Sequence, residues 1–354
     1  MMDLDERINL VKSEPTSEVV TVDELRNLFE TKSRPKHYIG FEISGMPHIG
    51  HVLLAGKKIN DLEKAGVDTQ IYLADWHTVA NNKLGGDWER IIEASKFYRK
   101  LFGIACPRSK VVLGSDLYHD NDDFWKLVIQ MARKTTMARA TRTLIIQGRS
   151  EKDTLHVSQY LYPIMQAADI IALNADIPHA GMDQRRVHML AKELFKELKL
   201  REIVPVHHHL LPSLHEPPKT ADGADKEEIV AAMKMSKSKP GWSISVLATE
   251  AEVKAAMQGA WCPPGVTFEN PVLALCRYIL LPSLGSLKVE RGIKYGGDVE
   301  YSSFSALESE YAAGKLHPAD LKSAASSSLN LLLDPIRKAI GSEKERITEL
   351  FAQK

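Results

Sequence analysis

The chain has 354 residues, and its 46 Lys and Arg balance its 46 Asp and Glu for a formal charge of zero, which removes a global pull toward nucleic acid yet leaves room for local basic stripes. Hydrophobic residues at 44% and charged residues at 26% match the globular mix and exclude a disordered tail protein, while the longest apolar runs, Ile170 to Leu173 and Ile279 to Leu281, fall far short of the ~18 residues that cross a bilayer. The acidic start (Asp3, Asp5, Glu6, Glu14) has the wrong chemistry for a signal or transit peptide, and Cys106, Cys262 and Cys276 form no CxxC, so a cytoplasmic protein with reduced core cysteines and no membrane partner is expected.

Residues 5 to 33 read as one or two amphipathic helices, with Leu25, Leu28 and Phe29 in helical spacing, and predict an N-terminal helical cover over residues 1–36. Short runs rich in β-branched and aromatic residues follow at His37 to Glu42, Thr69 to Ala74 and Lys110 to Leu113, separated by helix-length patterns. Parallel strands need such crossovers, so this order predicts an α/β fold with a doubly wound, Rossmann-like parallel sheet. Residues 122 to 173 read as consecutive helices, a helical insertion at about 115–160 between two halves of the sheet. A helix from Asp183 to Leu200 then leads to a further strand candidate, Ile203 to Val206. Pro212 to Ala232, with three prolines and mixed charges, reads as an exposed connection that closes an α/β domain of residues 37–240. Beyond it, Glu250 to Gln258, Ser305 to Ala313, Pro318 to Leu333 and Pro335 to Ala352 are helical patterns, and an all-α C-terminal domain over 241–354 is expected.

Three patterns carry chemistry. The first strand runs into Ser44-Gly45-Met46-Pro47-His48-Ile49-Gly50-His51 and an apolar helix; a helix N-terminus at the carboxyl end of a parallel strand offers N–H groups and partial positive charge to an anion. Gly50 permits close backbone approach, and His48 and His51 can donate to phosphate oxygens, although an isolated HxxH pair more often caps a helix or holds a metal. Lys234-Met235-Ser236-Lys237-Ser238-Lys239 sets three ammonium groups in six residues, able to neutralise a polyphosphate, or simply a solvated basic loop. Tyr162, Gln166 and Asp169 stand at i, i+4 and i+7, one polar stripe on an otherwise apolar helix, as a small-ligand pocket requires. His207, His208 and His209 suggest a metal tract, but without suitably spaced Cys or carboxylates a polar strand end is the better reading, and no resident metal is expected.

Taken together, HIGH and KMSKS resemble the paired signatures of class I aminoacyl-tRNA synthetases. Their context, YIGFEISGMPHIGH, ADWH at 74–77, YPIMQAAD at 162–169, GMDQRRVHMLAKE at 181–193 and LHPADLK at 316–322, is similar to the archaeal and eukaryotic tyrosyl-tRNA synthetases over nearly the whole chain. That resemblance implies ATP-dependent ligation of L-tyrosine to tRNA(Tyr) through a tyrosyl-adenylate. It assigns catalysis to His48, His51, Lys234 and Lys237, with Gly50, Met235, Ser236 and Ser238 completing the ATP site and Mg²⁺ accompanying ATP. Tyr38 and Asp169 are implied for the phenol hydroxyl, Tyr162, Gln166 and Gln184 for the α-amino end, and Glu42 as a support. For tRNA it implies Arg142 and Arg185 at the first acceptor-stem base pair, and Tyr295, His317 and Asp320 at the first anticodon base in a C-terminal anticodon-binding domain. A homodimer through the helical insertion is expected. Two features depart from the family: the 216–232 connection is longer and more charged, and Lys237 stands where many relatives carry Ser. The rivals are a tryptophanyl-tRNA synthetase, a small-molecule adenylyltransferase with HxGH chemistry, and a noncatalytic synthetase-like RNA-binding protein.

Overall fold

The computed structural model describes residues 2–148, 154–217, 234–235 and 241–352. The alternation of β-branched runs with crossover helices produces one six-stranded sheet from β1 (Thr16–Val19), β2 (Lys36–Phe41), β3 (Asp68–Leu73), β4 (Lys110–Leu113), β5 (Ile177–Gly181) and β6 (Val206–His208), in the order β1-β6-β5-β2-β3-β4. Strands β2 to β6 are mutually parallel where they pair, and β1 joins β6 antiparallel. From β2 the chain winds outward to β3 and β4, then returns to the other side as β5 and β6. The winding therefore reverses between β2 and β5, and the crevice at their carboxyl ends is where such sheets bind ligands.

Three differences from the sequence reading have local causes. The N-terminal segment is not wholly helical: helices Leu4–Lys12 and Val22–Thr31 flank β1, which turns the cover into a sheet edge. Each helix opens on a reciprocal cap, Asp3 with Glu6 and Thr21 with Glu24, which satisfies the unpaired N–H groups of its first turn. Strand β5 escaped notice because all five of its residues are buried, so it lacks the two-residue alternation of a half-exposed strand. Strand β6 starts at Val206 and takes in His207 and His208, later than the Ile203 to Val206 run.

The C-terminal third is built mainly from helices Glu250–Gly259, Pro271–Leu275, Phe304–Ala312, Pro318–Ile340 and Lys344–Ala352, with a small antiparallel hairpin of β7 (Leu287–Val289) and β8 (Val299–Tyr301). The expected break at Pro335 does not occur. Leu329, Leu333, Ile336 and Ile340 continue one buried stripe through it, and that burial outweighs the hydrogen bond Pro335 cannot make. A single apolar core runs from Ile39 and Ile71 in the sheet through Val246 to Leu273 and Leu329 in the helical third. Arg90 Nε donates to the Leu350 carbonyl at 2.9 Å, and Arg346 pairs with Glu93, so the last helix is fastened to the helix Trp88–Ala105. Among the described residues, no helix is long and apolar enough to cross a membrane.

Candidate active site

A cleft of about 700 Å³ opens at the β2/β5 reversal, lined by Tyr38, Glu42, His48, Gly50, His51, Tyr162, Gln166, Asp169, Gln184, Lys234 and Met235 among others. Residues drawn from five separate stretches of sequence therefore meet in one place. Lys237, Ser236 and Ser238 lie outside the described residues, as do 218–233 of the charged connection.

The HIGH turn begins where β2 ends. Its helix starts with a wide π-type turn, Gly50–Leu54, before the regular helix Ala55–Lys64; such turns often mark functional sites. His48 and His51 pack against each other at a tilt of 55°, with ring centroids 3.8 Å apart. The Gly50 N–H donates to His48 Nδ1 at 3.1 Å and the His48 N–H to His51 Nδ1 at 3.3 Å. With both Nδ1 atoms accepting, the proton of each neutral ring sits on Nε2, so both rings present N–H donors. The turn is strapped from outside: Ile49 N donates to Ile244 O at 3.0 Å, Val246 N to Pro47 O at 3.1 Å, and His48 bridges Ser245. Gly50 is required here, because a Cβ would stand 2.9 Å from His48 Cε1 and 3.0 Å from Nδ1. Gly50→Ala is expected to displace the His48 ring and cut the rate of any phosphate-activating step about tenfold or more. Unchanged turnover, with the circular dichroism spectrum retained, would contradict that.

On the opposite wall, Lys234 Nζ pairs with Asp183 Oδ2 at 2.5 Å, and its flanking residue Met235 is buried, with its N–H donating to the Leu211 carbonyl at 2.8 Å. Burial pushes the Asp183 carboxyl up, but Lys234, with help from Gln184, brings it below the usual range. This lysine is held beside the cleft and has a partner to exchange for a phosphate.

The helix Val157–Ala172 places Tyr162, Gln166 and Asp169 on the cleft as one stripe. Gln166 Nε2 donates to Gln184 Oε1 at 3.3 Å and Gln184 Nε2 to the Ile146 carbonyl at 3.0 Å, while Gln166 Oε1 is buried without a partner. Glu42 Oε1 accepts from Asn81 Nδ2 at 2.7 Å, which fixes it at the cleft wall. Asp169 is 1% exposed, and burial drives its pKa well above the carboxylate range against the hydrogen bonds of Tyr118 and Tyr72. Its Oδ2 has no hydrogen-bond partner and stands 3.5 Å from His77 Nε2. Three residues here were not singled out from sequence: Tyr72, Tyr118 and His77. All lie at or just beyond the carboxyl ends of β3 and β4, and that position is the signal that could have found them.

The expected tRNA residues fall into two groups. Arg142 ends the helix Met137–Arg142 and lies beside Arg186, whose Nη1 donates to the Arg142 carbonyl at 3.1 Å; Arg185 forms a forked pair with Glu18 of β1, Nε to Oε2 at 2.8 Å and Nη2 to Oε1 at 3.1 Å. Tyr295, 62% exposed, sits between β7 and β8. Arg291 bonds both Gly297 and Lys315, which ties that loop to the start of the helix bearing Asp320. His317 caps this helix, with Nδ1 accepting from the Ala319 N–H at 3.1 Å.

Buried imidazoles are linked across the sheet, and His179, His188 and His208 among them line the cleft. His37 Nε2 meets His179 Nδ1 at 3.1 Å, His179 Nε2 meets His208 Nδ1 at 2.8 Å, and His188 Nδ1 meets His207 Nε2 at 3.0 Å. His207 and His208 are thus strand residues in an imidazole network, and no group of three or more His, Cys, Asp or Glu among the described residues is placed to hold a metal. Burial lowers His37 to about 3 and His208 to about 4, and pushes His179 and His188 well below the ordinary value. A histidine with a depressed folded-state pKa adds stability above its unfolded pKa of about 6.5 and loses it as pH falls toward the folded value. Each then costs about 1.4 kcal/mol at pH 5.5. Buried Asp75 and Asp169, with raised pKa values, act in the opposite sense, but the histidines outnumber them. The melting temperature is expected to fall between pH 7 and pH 5; a flat profile would refute this balance.

A family model described as tRNA synthetases class I (W and Y) matches residues 30–334. The tyrosine–tRNA ligase of Sulfolobus acidocaldarius is 42% identical over 350 residues, covering 97% of this chain and 96% of that protein. The chain belongs to the class I tyrosyl-tRNA synthetases. Among solved structures, tyrosyl-tRNA synthetase of Pyrococcus horikoshii, complexed with L-tyrosine, superposes with a TM-score of 0.91 at 41% identity and covers 99% of both chains. The corresponding L-tyrosine complex from Archaeoglobus fulgidus gives a TM-score of 0.84 at 40% identity, with 96% of this chain and 100% of that chain covered. The family is of the archaeal and eukaryotic type, and the tryptophanyl, adenylyltransferase and noncatalytic rivals fall away.

Proposed function

We infer that this cleft carries out the family's two-step reaction by positioning and charge neutralisation, with the roles divided as follows. The activity is ATP-dependent ligation of L-tyrosine to tRNA(Tyr) through a tyrosyl-adenylate, with release of AMP and pyrophosphate. In the first step a carboxylate oxygen of tyrosine attacks the α-phosphorus of ATP, the bond to the bridging oxygen of pyrophosphate breaks, and pyrophosphate leaves. The tyrosine carboxylate is already ionised at neutral pH, so no general base is needed. His48 and His51 donate from Nε2 to the α-phosphate, and Gly50 lets it approach the helix N-terminus. Lys234 exchanges Asp183 for the β- and γ-phosphates, where Lys237 joins it; Met235, Ser236 and Ser238 complete the loop. Mg²⁺ travels on the polyphosphate and supplies further charge neutralisation there. Asp169 and Tyr38 take the phenol hydroxyl, Tyr162, Gln166 and Gln184 the ammonium, with Glu42 in support.

In the second step a hydroxyl of the terminal tRNA adenosine attacks the carbonyl carbon of the adenylate; an ester forms, and AMP and a proton leave. Arg142 and Arg185 meet the first acceptor-stem pair, where Arg suits guanine, and Tyr295, His317 and Asp320 meet the first anticodon base by stacking and hydrogen bonding. Asp320→Ala is expected to weaken tyrosylation of tRNA about tenfold and to leave pyrophosphate exchange intact; equal loss in both assays would move Asp320 out of the tRNA surface.

The observation that carries this reading is one cleft holding paired Nε2 donors, a lysine with an exchangeable partner, and a buried carboxylate with one oxygen unsatisfied. The test is pyrophosphate exchange with each of the twenty amino acids, in which tyrosine alone should support exchange. A homodimer is supported by exposed Ile129 and Met137 on the helical insertion and Val157 at its end. Three buried, unpaired cysteines agree with a cytoplasmic location.

A further inference from the structure

Asp169 does not meet the cleft alone. The Tyr118 hydroxyl lies 2.5 Å from Asp169 Oδ1 and 2.5 Å from the Tyr72 hydroxyl, and Tyr72 is itself 3.5 Å from Oδ1. Each hydroxyl has one proton to give. Donation from Tyr118 to Oδ1 leaves Tyr72 to donate to the Tyr118 oxygen, so both O–H dipoles point along one chain toward the carboxylate, and each strengthens the next. This hydroxyl chain, ending in the Tyr118 O–H, occupies Oδ1. Oδ2 stays without a partner, buried and beside His77 Nε2.

The pair is held rigidly. Tyr118 stacks on Phe124 with centroids 4.2 Å apart and meets the edge of Trp76 at 5.6 Å. The turn that carries it is pinned by Asp75, which accepts from the Ser115 N–H at 3.1 Å and from the Ser115 hydroxyl. Gly114 leaves no space for a Cβ, which would lie 2.8 Å from the Tyr72 hydroxyl. Three distant segments thus converge on one carboxylate oxygen.

We propose that Tyr118 and Tyr72 are positioning residues for amino-acid specificity: by occupying Asp169 Oδ1 they leave Oδ2 as the single acceptor for a substrate hydroxyl, and they keep the carboxylate from settling its own needs when that hydroxyl is missing. The proposal rests on the assignment of Asp169 to the tyrosine phenol. Tyrosine satisfies Oδ2, whereas phenylalanine leaves it orphaned in a dry pocket, and that penalty is the discrimination. Without Tyr118, Asp169 is freer to turn or to take up a proton, since burial already favours its neutral form. The orphaned state then costs less and the two amino acids are told apart less well.

The test compares kcat/KM for tyrosine and phenylalanine in pyrophosphate exchange for the wild-type protein, Tyr118→Phe and Tyr72→Phe. Tyr118→Phe is expected to lower the tyrosine-to-phenylalanine ratio about tenfold to a hundredfold, through a raised KM for tyrosine with kcat nearly kept. Tyr72→Phe should shift the ratio in the same direction by less, and it serves if Tyr118→Phe does not fold. An unchanged ratio in the folded variants, including a parallel loss for both amino acids, would overturn the proposal and mark the pair as structural. A wild-type protein that fails to prefer tyrosine would instead overturn the assignment of Asp169 beneath it.

Discussion

Asp169→Ala is expected to remove most tyrosine-dependent pyrophosphate exchange, by a factor of about 100 or more, with only a small change in thermal stability. A hydrogen bond contributes about 0.5–1.5 kcal/mol net, and leaving a buried polar partner unsatisfied costs about 1–3 kcal/mol more; Asp169 Oδ2 is the buried oxygen left open for it. The substitution also leaves the substrate hydroxyl without its acceptor in a dry cleft, which adds to the loss. Stability behaves differently. Removing a buried carboxylate with one oxygen unpaired relieves desolvation, while the small cavity and the unsatisfied Tyr118 hydroxyl cost something in return, so the two nearly offset. Calorimetry beside the exchange assay separates these effects. Exchange at the wild-type level would remove Asp169 from the amino-acid site.

His48→Ala and His51→Ala are each expected to reduce the first-order rate of adenylate formation about 10²- to 10³-fold, the usual cost of one donor aimed at developing charge, and to change the affinity for tyrosine by less than about twofold. The reason is geometric. Both rings stand at the start of the Gly50–Leu54 turn, whereas Asp169 and Gln166, proposed to hold the amino acid, belong to the separate helix Val157–Ala172. The double variant is expected to lose less than the product of the single effects, because rings 3.8 Å apart, linked through the His48 backbone N–H to His51 Nδ1, hold each other in place. Single-turnover kinetics resolves rate from affinity; a matching rise in the tyrosine dissociation constant would assign the pair to binding instead.

Much of the cleft was legible in sequence because its chemistry is written in short local patterns. HIGH follows a strand, Lys234 and Met235 follow a connection, and Tyr162, Gln166 and Asp169 share a helical stripe, and these residues line the cleft. What escaped were arrangements made only by the tertiary fold. Tyr72, Tyr118 and Asp169 lie on a strand, a short helix and a long helix, with nothing local to link them. Strand β5 carries Pro178 and His179 and is buried on both faces, which hides the alternation by which a strand announces itself. His207 and His208 read as a polar strand end, yet their partners include imidazoles brought in by β5 and by the helix Arg185–Glu197, and for His207 also Glu18 of β1.

The strap of residues Ile244–Val246 across Pro47–Ile49 bears on how this molecule can be cut. Those residues stand on the C-terminal side of the lysine loop and feed directly into the helical third, whose apolar side chains are continuous with those of the sheet. A truncated chain that ends before residue 244 would strip the Pro47–Ile49 turn of its outer backbone partners and open the shared interior to water. The helical third thus serves as a structural buttress for a turn that belongs to the α/β half.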